Sequence, residues 1–301
     1  MKHISVSDFY KNKFNGKVYK ITVDAGCTCP TRDGTLSKGG CKFCSSNGSG
    51  DFIPSKQLTI SEQIVQAKKL VDSKFSRKAA RGEDVEKKYI VYFQNFTSTY
   101  GNEDELIKKY KEAVAAENVV GIAIGTRPDC LGLKILDFLG KLADSFYVQI
   151  ELGLQTSCEK TADYFNRCYK NQVYLESVKL IHKINPEIHV VTHLIFGLPG
   201  EDFSQMMESV DFAVKSGTDG IKIACLYILK GTEIEKDYLC GKFKALEMNE
   251  YLELIKEALE RIPENVVIHR LTGDGPKSLL VAPLWTGDKK RVLNLINKLM
   301  N

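Results

Sequence analysis

Six short apolar runs, separated by amphipathic helical stretches, constrain the fold of this chain more than any other feature of its sequence. They span residues 18–23, 89–93, 119–124, 146–152, 190–196 and 221–229. The runs are continuous rather than alternating, as expected for parallel strands that are covered on both faces. A capping box at Thr59 and Glu62 precedes one intervening helix, whose apolar stripe begins at Ile60 and Ile64. Strand–helix units in series predict a parallel sheet, wound as an α/β barrel or an open part of one.

The pattern continues after the sixth run. A helix is predicted over residues 247–261, a seventh apolar run over 266–270 that extends the sheet, and a last helix over 288–299. No composition break or low-complexity linker marks an independent second domain. We therefore expect a single α/β unit, a partial (β/α)6 parallel barrel with a C-terminal extension packed on it. Its parts are an N-terminal segment at residues 1–17, the (β/α)6 core at 18–232 and the extension at 233–301.

Composition limits the class of protein. The chain has 301 residues, of which 43% are hydrophobic and 27% are charged, as in globular proteins. No apolar run reaches the roughly 18 residues that span a membrane, and the N-terminus lacks the apolar core of a signal peptide. Nine cysteines, an odd number and unevenly placed, do not match a secreted disulfide framework. We therefore expect a cytoplasmic protein with reduced thiols and no membrane contact.

The charge balance is only mildly basic. A net charge of +4 is compatible with a nucleic-acid substrate but does not require one. The richest basic segment covers residues 74–81, between a helix and a strand. Taken alone, this segment is interpreted as a solvated loop rather than a phosphate-binding patch.

Polar or Gly-rich loops follow all six apolar runs. They cover residues 24–44, 94–100, 125–129, 151–155, 197–201 and 230–232. Because the carboxyl ends of parallel strands share one rim, these loops should meet at the place where α/β folds carry their function. A purely structural barrel would not need six such loops, so the pattern indicates a binding or catalytic site.

Three cysteines stand in the first of these loops, at Cys29, Cys41 and Cys44. Three thiolates can hold a cubane iron–sulfur cluster by three corners and leave the fourth iron open to a ligand that is not protein. An open iron beside a Gly-rich loop indicates chemistry. The spacing alone also permits a zinc site completed by Cys27, with C-x-C and C-x-x-C pairs. A closed zinc site would leave the other five loops unexplained.

The ordered motifs of the loops resemble the radical S-adenosylmethionine (SAM) superfamily, and within it the YhcC/YtqA branch, which is related to the catalytic subunit of Elongator. The resemblance covers about residues 15–300. The matching stretches are Cys29-Pro-Thr-Arg-Asp-Gly-Thr35, Gly39-Gly-Cys-Lys-Phe-Cys44, Tyr92-Phe-Gln-Asn-Phe-Thr-Ser-Thr-Tyr100, Gly125-Thr-Arg-Pro-Asp-Cys-Leu131, Glu151-Leu-Gly-Leu-Gln155, Phe196-Gly-Leu-Pro-Gly-Glu201, Ile268-His-Arg-Leu-Thr-Gly-Asp-Gly275 and Ala282-Pro-Leu-Trp285. So many motifs in one order make chance agreement very improbable.

This resemblance implies two cofactors and a reaction type. Cys29, Cys41 and Cys44 would ligate a [4Fe–4S] cluster whose open iron chelates the amino and carboxylate groups of SAM. An electron from the reduced cluster would break a C–S bond of SAM and release a 5′-deoxyadenosyl radical that abstracts hydrogen from the substrate. The protein would bind, orient and exclude water, while the cofactors supply the reactivity. An external donor such as flavodoxin or ferredoxin would deliver the electron.

The resemblance also assigns SAM contacts. Phe43 would pack near the adenine, Thr97 and Ser98 would receive the methionyl amino group, and Arg127 would pair with a carboxylate of SAM or of the substrate. The other expected cofactor-binding residues are Glu151, Gln155, Gly197 and Gly200. Each has a structural alternative. Arg127 would only neutralise Asp129, Glu151 would be a solvated rim charge, and the glycines would only make a turn.

The substrate comes only from the resemblance. Members of the branch are associated with the tRNA wobble uridine, where they convert a 5-carboxymethylaminomethyl group to 5-aminomethyl. A partner methyltransferase would then complete the methylaminomethyl group. Lys230, His269 and Arg270 lie in the last third of the chain, the part most specific to the branch, and are expected substrate contacts. The alternatives are a radical SAM enzyme acting on a small molecule or peptide, and a zinc-stabilised RNA-binding module without catalysis.

Three positions depart from the pattern of the branch. Cys168 and Tyr169 stand where Gly-His is usual, and Cys27 stands where an apolar residue is more usual. Cys27 is interpreted as a spare buried thiol. His193 lies inside the fifth apolar run and is interpreted as a core histidine. No catalytic residue is assigned from the sequence.

Overall fold

Seven parallel strands form one sheet in the computed structural model, which describes residues 3–46, 48, 53–79, 86–273 and 275–300. The strands are β1 (Val18–Val23), β2 (Lys88–Phe93), β3 (Val119–Thr126), β4 (Tyr147–Gln155), β5 (His189–Phe196), β6 (Gly220–Cys225) and β8 (Val267–Arg270), with a separate antiparallel pair, β7 (Ile228–Leu229) and β9 (Leu280–Ala282). Because the spatial order β1–β2–β3–β4–β5–β6–β8 follows the chain, each crossover leads to the neighbouring strand, as in a barrel. The predicted α/β parallel fold is confirmed, including the seventh run.

Helices cover the outer face of this sheet. In the described ranges the α-helices are α1 (Val6–Phe14), α2 (Ile60–Ala79), α3 (Glu103–Val114), α4 (Leu133–Ala143), α5 (Glu159–Tyr164), α6 (Asn171–Ile184), α7 (Phe203–Lys215), α8 (Glu233–Leu239), α9 (Met248–Arg261) and α10 (Lys289–Met300). The capping box at the start of α2 is confirmed, because the Thr59 amide donates to Glu62 Oε2 at 2.8 Å and the Glu62 amide donates to Thr59 Oγ1 at 3.3 Å. Among the described residues, no helix combines the length and apolarity that crossing a bilayer requires.

The sheet curls into an open barrel. Strands β1 and β6 are five positions apart, which would separate them by roughly 24 Å in a flat sheet. Lys20 of β1 nevertheless places its Nζ 2.9 Å from Glu151 Oε1 of β4, and Lys222 of β6 contacts the same carboxylate. Curling therefore brings the inner face of the sheet around one buried charged group.

The two faces of the sheet differ in polarity. Ile150 and Leu152 of β4 are buried in the main hydrophobic core under the helices. Gln149 and Glu151 of the same strand hydrogen-bond with residues of other elements inside the barrel. Period-2 alternation in a strand produces this separation. The inner face is thus more polar than the continuous apolar runs predict.

Helix α1 closes the end of the barrel where the strands begin. The Tyr10 hydroxyl donates to Gln149 Oε1 at 2.9 Å, and Tyr10 packs in an apolar cluster with Val18 and Tyr147. Just before α1, the Ile4 carbonyl accepts the Ile268 amide of β8 at 2.9 Å. The N-terminal segment is therefore part of the barrel interior, and the cavity described below opens at the opposite end.

The sixth run does not form one strand, as the sequence pattern predicted over residues 221–229. β6 ends at Cys225, and the Leu226 amide donates to the Phe196 carbonyl at 2.8 Å. The chain then leaves the sheet as β7, which pairs with β9 instead. This break positions Tyr227 at the rim of the barrel. The basic side chains of the segment at 74–81 lie outside the described residues.

Candidate active site

Two adjoining cavities occupy the end of the barrel where the strands finish. The cysteine cavity, of about 180 Å³, is lined by Cys29, Cys41 and Cys44 together with Thr97 and Arg127. The barrel cavity, of about 370 Å³, lies against β5, β6 and β8. The two share the lining residues Phe43, Gly48, Tyr92, Gln94, Gln155 and His193. Because they have walls in common, a molecule bound in one cavity would contact a molecule bound in the other.

The loop that carries the cysteines is folded on itself by backbone hydrogen bonds. The Arg32 amide donates to the Cys29 carbonyl at 2.8 Å, and the Gly40 amide donates to the Thr31 carbonyl at 2.9 Å. The Arg32 guanidinium then reaches the Cys44 carbonyl, with Nη2 at 3.1 Å. Arg32 thus joins the two ends of the loop, and the three thiols are held on one wall.

Gly40 is required by the packing of Arg32. Its φ of +86° lies in the left-handed region, and a Cβ at this position would lie 2.9 Å from Arg32 Nε. Gly39 has a similar φ of +85° but no atom within 4 Å of such a Cβ. A side chain at Gly39 would therefore cause backbone strain alone, whereas a side chain at Gly40 would cause backbone strain and a steric conflict with Arg32.

We expect Gly40→Ala to lower the iron content of the reconstituted protein and to destabilise it more than Gly39→Ala. Each change places alanine at a positive φ, which costs about 1–2 kcal/mol, and only Gly40→Ala adds overpacking of roughly 1–3 kcal/mol against Arg32. Denaturant unfolding and iron analysis would measure both effects. Equal losses in the two variants would contradict a role of Arg32 packing.

The three thiols have the character of a shared ligand set. None is in a disulfide, and burial, followed by the neighbouring Cys44, raises the pKa of Cys41 to about 12. Metal ligation requires thiolates, which an iron cluster stabilises by its positive charge. Within the described part of the chain, no three His, Cys, Asp or Glu side chains are grouped for a single metal ion. The three thiols do, however, line one cavity.

Cys27 is separate from this set. It packs against the main core rather than lining the cysteine cavity, and burial raises its pKa to about 11. Cys27 is half-buried rather than fully buried. Its position outside the cavity lining is consistent with a spare thiol. A zinc site completed by Cys27 is disfavoured by the same geometry.

Arg127 forms the expected ion pair with Asp129 and also borders the cysteine cavity. Its Nε and Nη2 donate to Asp129 at 2.9 and 2.7 Å, and Nη2 also donates to the Arg167 carbonyl at 2.8 Å. Although burial opposes its charge, the ion pair with Asp129 raises the pKa of Arg127. The same side chain lines the cysteine cavity. Asp129 therefore fixes a guanidinium that faces the three thiols.

The other expected cofactor contacts divide into two groups. Phe43, Thr97 and Gln155 line the cysteine cavity. Ser98 is fully buried and its hydroxyl donates to the Phe93 carbonyl at 3.1 Å, so that hydroxyl already has a partner. Gly197 and Gly200 both have a φ of +83° but do not line either cavity. A Cβ at Gly197 would lie 2.8 Å from Leu246 Cδ1.

The expected substrate contacts are also separated by the fold. Arg270 lines the barrel cavity. Lys230 is exposed beyond β7 and lines neither cavity. His269 is buried at the other end of the barrel, where its Nε2 lies 2.8 Å from His189 Nε2. The structure thus brings Arg270 to the site and places Lys230 and His269 away from the cavity linings.

Glu151 is the centre of a buried charged network that the sequence did not indicate. Its carboxylate contacts Lys20, Lys222, His193 and Tyr92. Burial would raise the pKa of Glu151, but Lys20 and Lys222 outweigh burial and hold that pKa well below its usual range. The alternative of a solvated rim charge is wrong, because Glu151 is only 1% exposed. It lines the base of the cysteine cavity.

His193 departs from its interpretation as a core histidine. Its side chain is 32% exposed, lines both cavities and places Nε2 2.8 Å from Glu151 Oε2. Lys222 and Tyr92 also line the barrel cavity. The available signal was the presence of polar residues inside several apolar runs, at Lys20, Gln149, Glu151, His193 and Lys222.

A parallel open barrel with three cysteine thiols at the carboxyl end of its strands is characteristic of the radical SAM superfamily, and the chain belongs to it. The model of the Radical SAM superfamily matches residues 37–213, and that of the Radical_SAM C-terminal domain matches residues 218–301. Cys41 and Cys44 lie within the first match, and Cys29 precedes it. The cofactors of this superfamily, and of this chain, are a [4Fe–4S] cluster and SAM.

Within the superfamily the chain belongs to the YhcC/YtqA branch. It is 40% identical to YtqA of Bacillus subtilis over 288 residues, which cover 96% of this chain and 86% of that protein. It is 27% identical over 213 residues to Elongator complex protein 3 of Saccharomyces cerevisiae, covering 68% of this chain and 36% of that protein. The fold of Methanocaldococcus infernus Elp3 matches with a TM-score of 0.65 at 18% identity, over 94% of this chain and 63% of that chain.

Proposed function

We propose that Cys29, Cys41 and Cys44 hold the [4Fe–4S] cluster and that SAM occupies the remainder of the cysteine cavity. The observation that carries this proposal is the grouping of three cysteine thiols on the wall of one cavity that adjoins a second, larger one. When bound, the cluster and SAM supply one-electron chemistry that generates a radical able to abstract hydrogen. A reductant such as flavodoxin or ferredoxin would supply the electron.

The residues of the chain would bind and orient SAM. Arg127 is fixed by Asp129, so it presents its charge to a carboxylate without loss of side-chain entropy on binding. Thr97 is the better hydroxyl for the methionyl amino group, because the Ser98 hydroxyl already donates to a backbone carbonyl. Phe43 and Gln155 line both cavities. They would therefore adjoin both SAM and substrate and exclude water from the space where the two meet.

We infer that the substrate is the wobble uridine of tRNA. The enzyme would convert 5-carboxymethylaminomethyluridine to 5-aminomethyluridine. Support comes from the relation to Elongator complex protein 3 and from the mildly basic net charge of +4. The barrel cavity, at about 370 Å³, falls within the range of cavities that bind small ligands and would take an extruded base. A methyltransferase would act on the product.

The substrate is tested with tRNA bearing 5-carboxymethylaminomethyluridine. Anaerobically reconstituted protein, SAM and a chemical reductant should convert this nucleoside to 5-aminomethyluridine, as measured by mass spectrometry of digested tRNA. Omission of SAM should prevent the conversion. Consumption of SAM with an unchanged nucleoside would remove the tRNA assignment and favour a small molecule or peptide. Tight zinc without visible cluster absorbance or SAM cleavage would remove the enzyme assignment.

A further inference from the structure

Three basic side chains lie side by side across neighbouring strands of the barrel cavity. His193 of β5 is the register partner of Lys222 of β6, and Lys222 is the register partner of Arg270 of β8. All three line the barrel cavity. Neighbouring positions on a sheet face place side chains within contact distance, and like charges at such positions destabilise the fold. A row of this kind therefore needs compensating negative charge.

The described residues supply too little negative charge for this row. Glu151 is the acidic residue in direct contact with it, and this carboxylate also binds Lys20 at 2.9 Å. Burial and the nearby Lys222 lower the pKa of His193, so His193 adds no charge at neutral pH. Lys20 and Arg270 remain as cations for one carboxylate, and Lys222 adds a third basic side chain beside them. Burial followed by the charges of Lys20 and Arg270 lowers the pKa of Lys222 to about 7, although Glu151 opposes this effect.

Arg270 is the cation of this row whose guanidinium still has hydrogen-bond donors available to a ligand. Its Nε donates to the Thr272 carbonyl at 2.5 Å, and in the described ranges no carboxylate lies within ion-pair distance of its guanidinium. Asp274, four residues further along, lies outside the described residues. A guanidinium offers five donors in a planar fork that matches a carboxylate. Its Nη atoms are therefore suited to an anionic group that enters the barrel cavity.

We propose that Arg270, with Lys222 beside it, binds a carboxylate of the substrate in the barrel cavity. The proposal rests on the proposed function, because the carboxymethyl group of the wobble uridine carries such a carboxylate. A carboxylate could also come from SAM. Arg127, rather than Arg270, lines the cysteine cavity, so the position of the two arginines assigns the SAM carboxylate to Arg127 and the substrate carboxylate to Arg270.

The test compares two anticodon stem-loops whose modified uridine ends in a carboxylate or in the neutral carboxamide. Binding to the cluster-loaded protein with SAM but without reductant is measured by fluorescence anisotropy, so that no turnover occurs. The wild-type protein should bind the acid roughly 10- to 100-fold more tightly than the amide, as expected for hydrogen bonds to a charged group. Arg270→Gln should reduce this preference to nearly one. Arg270→Lys, which keeps the charge but loses the fork, should retain an intermediate preference.

The ratio of the two affinities separates the possible roles of Arg270. A contact with RNA phosphates would weaken both stem-loops equally and leave the ratio intact, which would overturn the proposal. Weaker SAM binding by Arg270→Gln in the absence of RNA, with an intact ratio, would assign Arg270 to SAM and also overturn it. Arg291→Gln, the same substitution at an exposed site on α10, should leave the ratio unchanged. Asp274→Asn should not reduce the ratio, because an ionised aspartate has no donor for a carboxylate.

Failure of the tRNA assignment can be distinguished from failure of the carboxylate site. If the wild-type protein neither binds nor converts either stem-loop, the tRNA assignment falls while the cation row is still testable. N-methylglycine and its amide then serve as minimal probes in saturation-transfer NMR. Transfer to N-methylglycine that is lost in Arg270→Gln supports the carboxylate site, and equal transfer to acid and amide overturns it.

Discussion

Replacing Cys41 with serine should abolish cluster binding and SAM cleavage while leaving the fold intact. Cys41 lines the cysteine cavity and is held by the loop that Arg32 closes. A serine hydroxyl is a poor ligand for iron, whereas three thiolates are the minimum for a cubane with one open iron. Loss of a direct ligand should exceed the roughly 10- to 100-fold cost of an outer-shell change. Cys29→Ser and Cys44→Ser should behave in the same way.

Two readouts and two matched control variants test this prediction. Iron content and visible absorbance report the cluster directly, and production of 5′-deoxyadenosine reports SAM cleavage. Cys27→Ser and Cys240→Ser carry the same substitution outside the cavity lining, and Cys240 is exposed. Both controls should retain iron and cleavage. Full iron occupancy in Cys41→Ser, or loss of iron in Cys27→Ser, would contradict the assignment of the three ligands.

The second large effect concerns the stability of the barrel. Glu151→Gln should lower the free energy of unfolding by about 3–5 kcal/mol, the usual cost of removing one partner from a buried ion pair. The carboxylate is 1% exposed and is shared by Lys20 and Lys222. Without it, two buried ammonium groups would face each other across the barrel. Denaturant unfolding of the cluster-free protein would measure the loss without interference from bound iron.

A control and a compensating variant test the cause of this loss. Glu253→Gln changes an exposed residue of α9 and should alter stability by less than about 0.5 kcal/mol. Adding Lys222→Met to Glu151→Gln should recover part of the lost stability, because it removes one buried charge that has no partner in the Glu151→Gln variant. If Glu151→Gln cost no more than the exposed control, the network would have to be solvated rather than buried.

The strands and the cysteine loop were predictable because their signals are local. Apolar runs such as residues 89–93 coincide with β2 to within one residue, and the capping box of Thr59 and Glu62 depends on neighbours three positions apart. The relation of Cys29 to Cys41 and Cys44 is also contained within one loop. Chemistry that a single segment carries can be inferred from that segment.

The interior of the barrel could not be predicted in the same way. Lys20 and Lys222 meet at Glu151 only after the order and curl of the whole sheet are known. His193 was interpreted as a core residue because a histidine within an apolar run gives no sign of which face it occupies. The break after Cys225 depends on β9, which lies more than fifty residues further along and removes β7 from the sheet. Such contacts follow from topology rather than from local propensity.

The closure of the barrel by α1 has a consequence for biosynthesis. The Ile4 carbonyl accepts the amide of Ile268, so the segment before α1 is secured by a strand that is translated much later. Until β8 emerges from the ribosome, Phe9 and Tyr10 lack one of the surfaces that complete their pocket. Contacts between such distant segments form late and slowly. The nascent chain would thus expose an aromatic helix until β8 is synthesised, and chaperone occupancy should fall only when that strand becomes available.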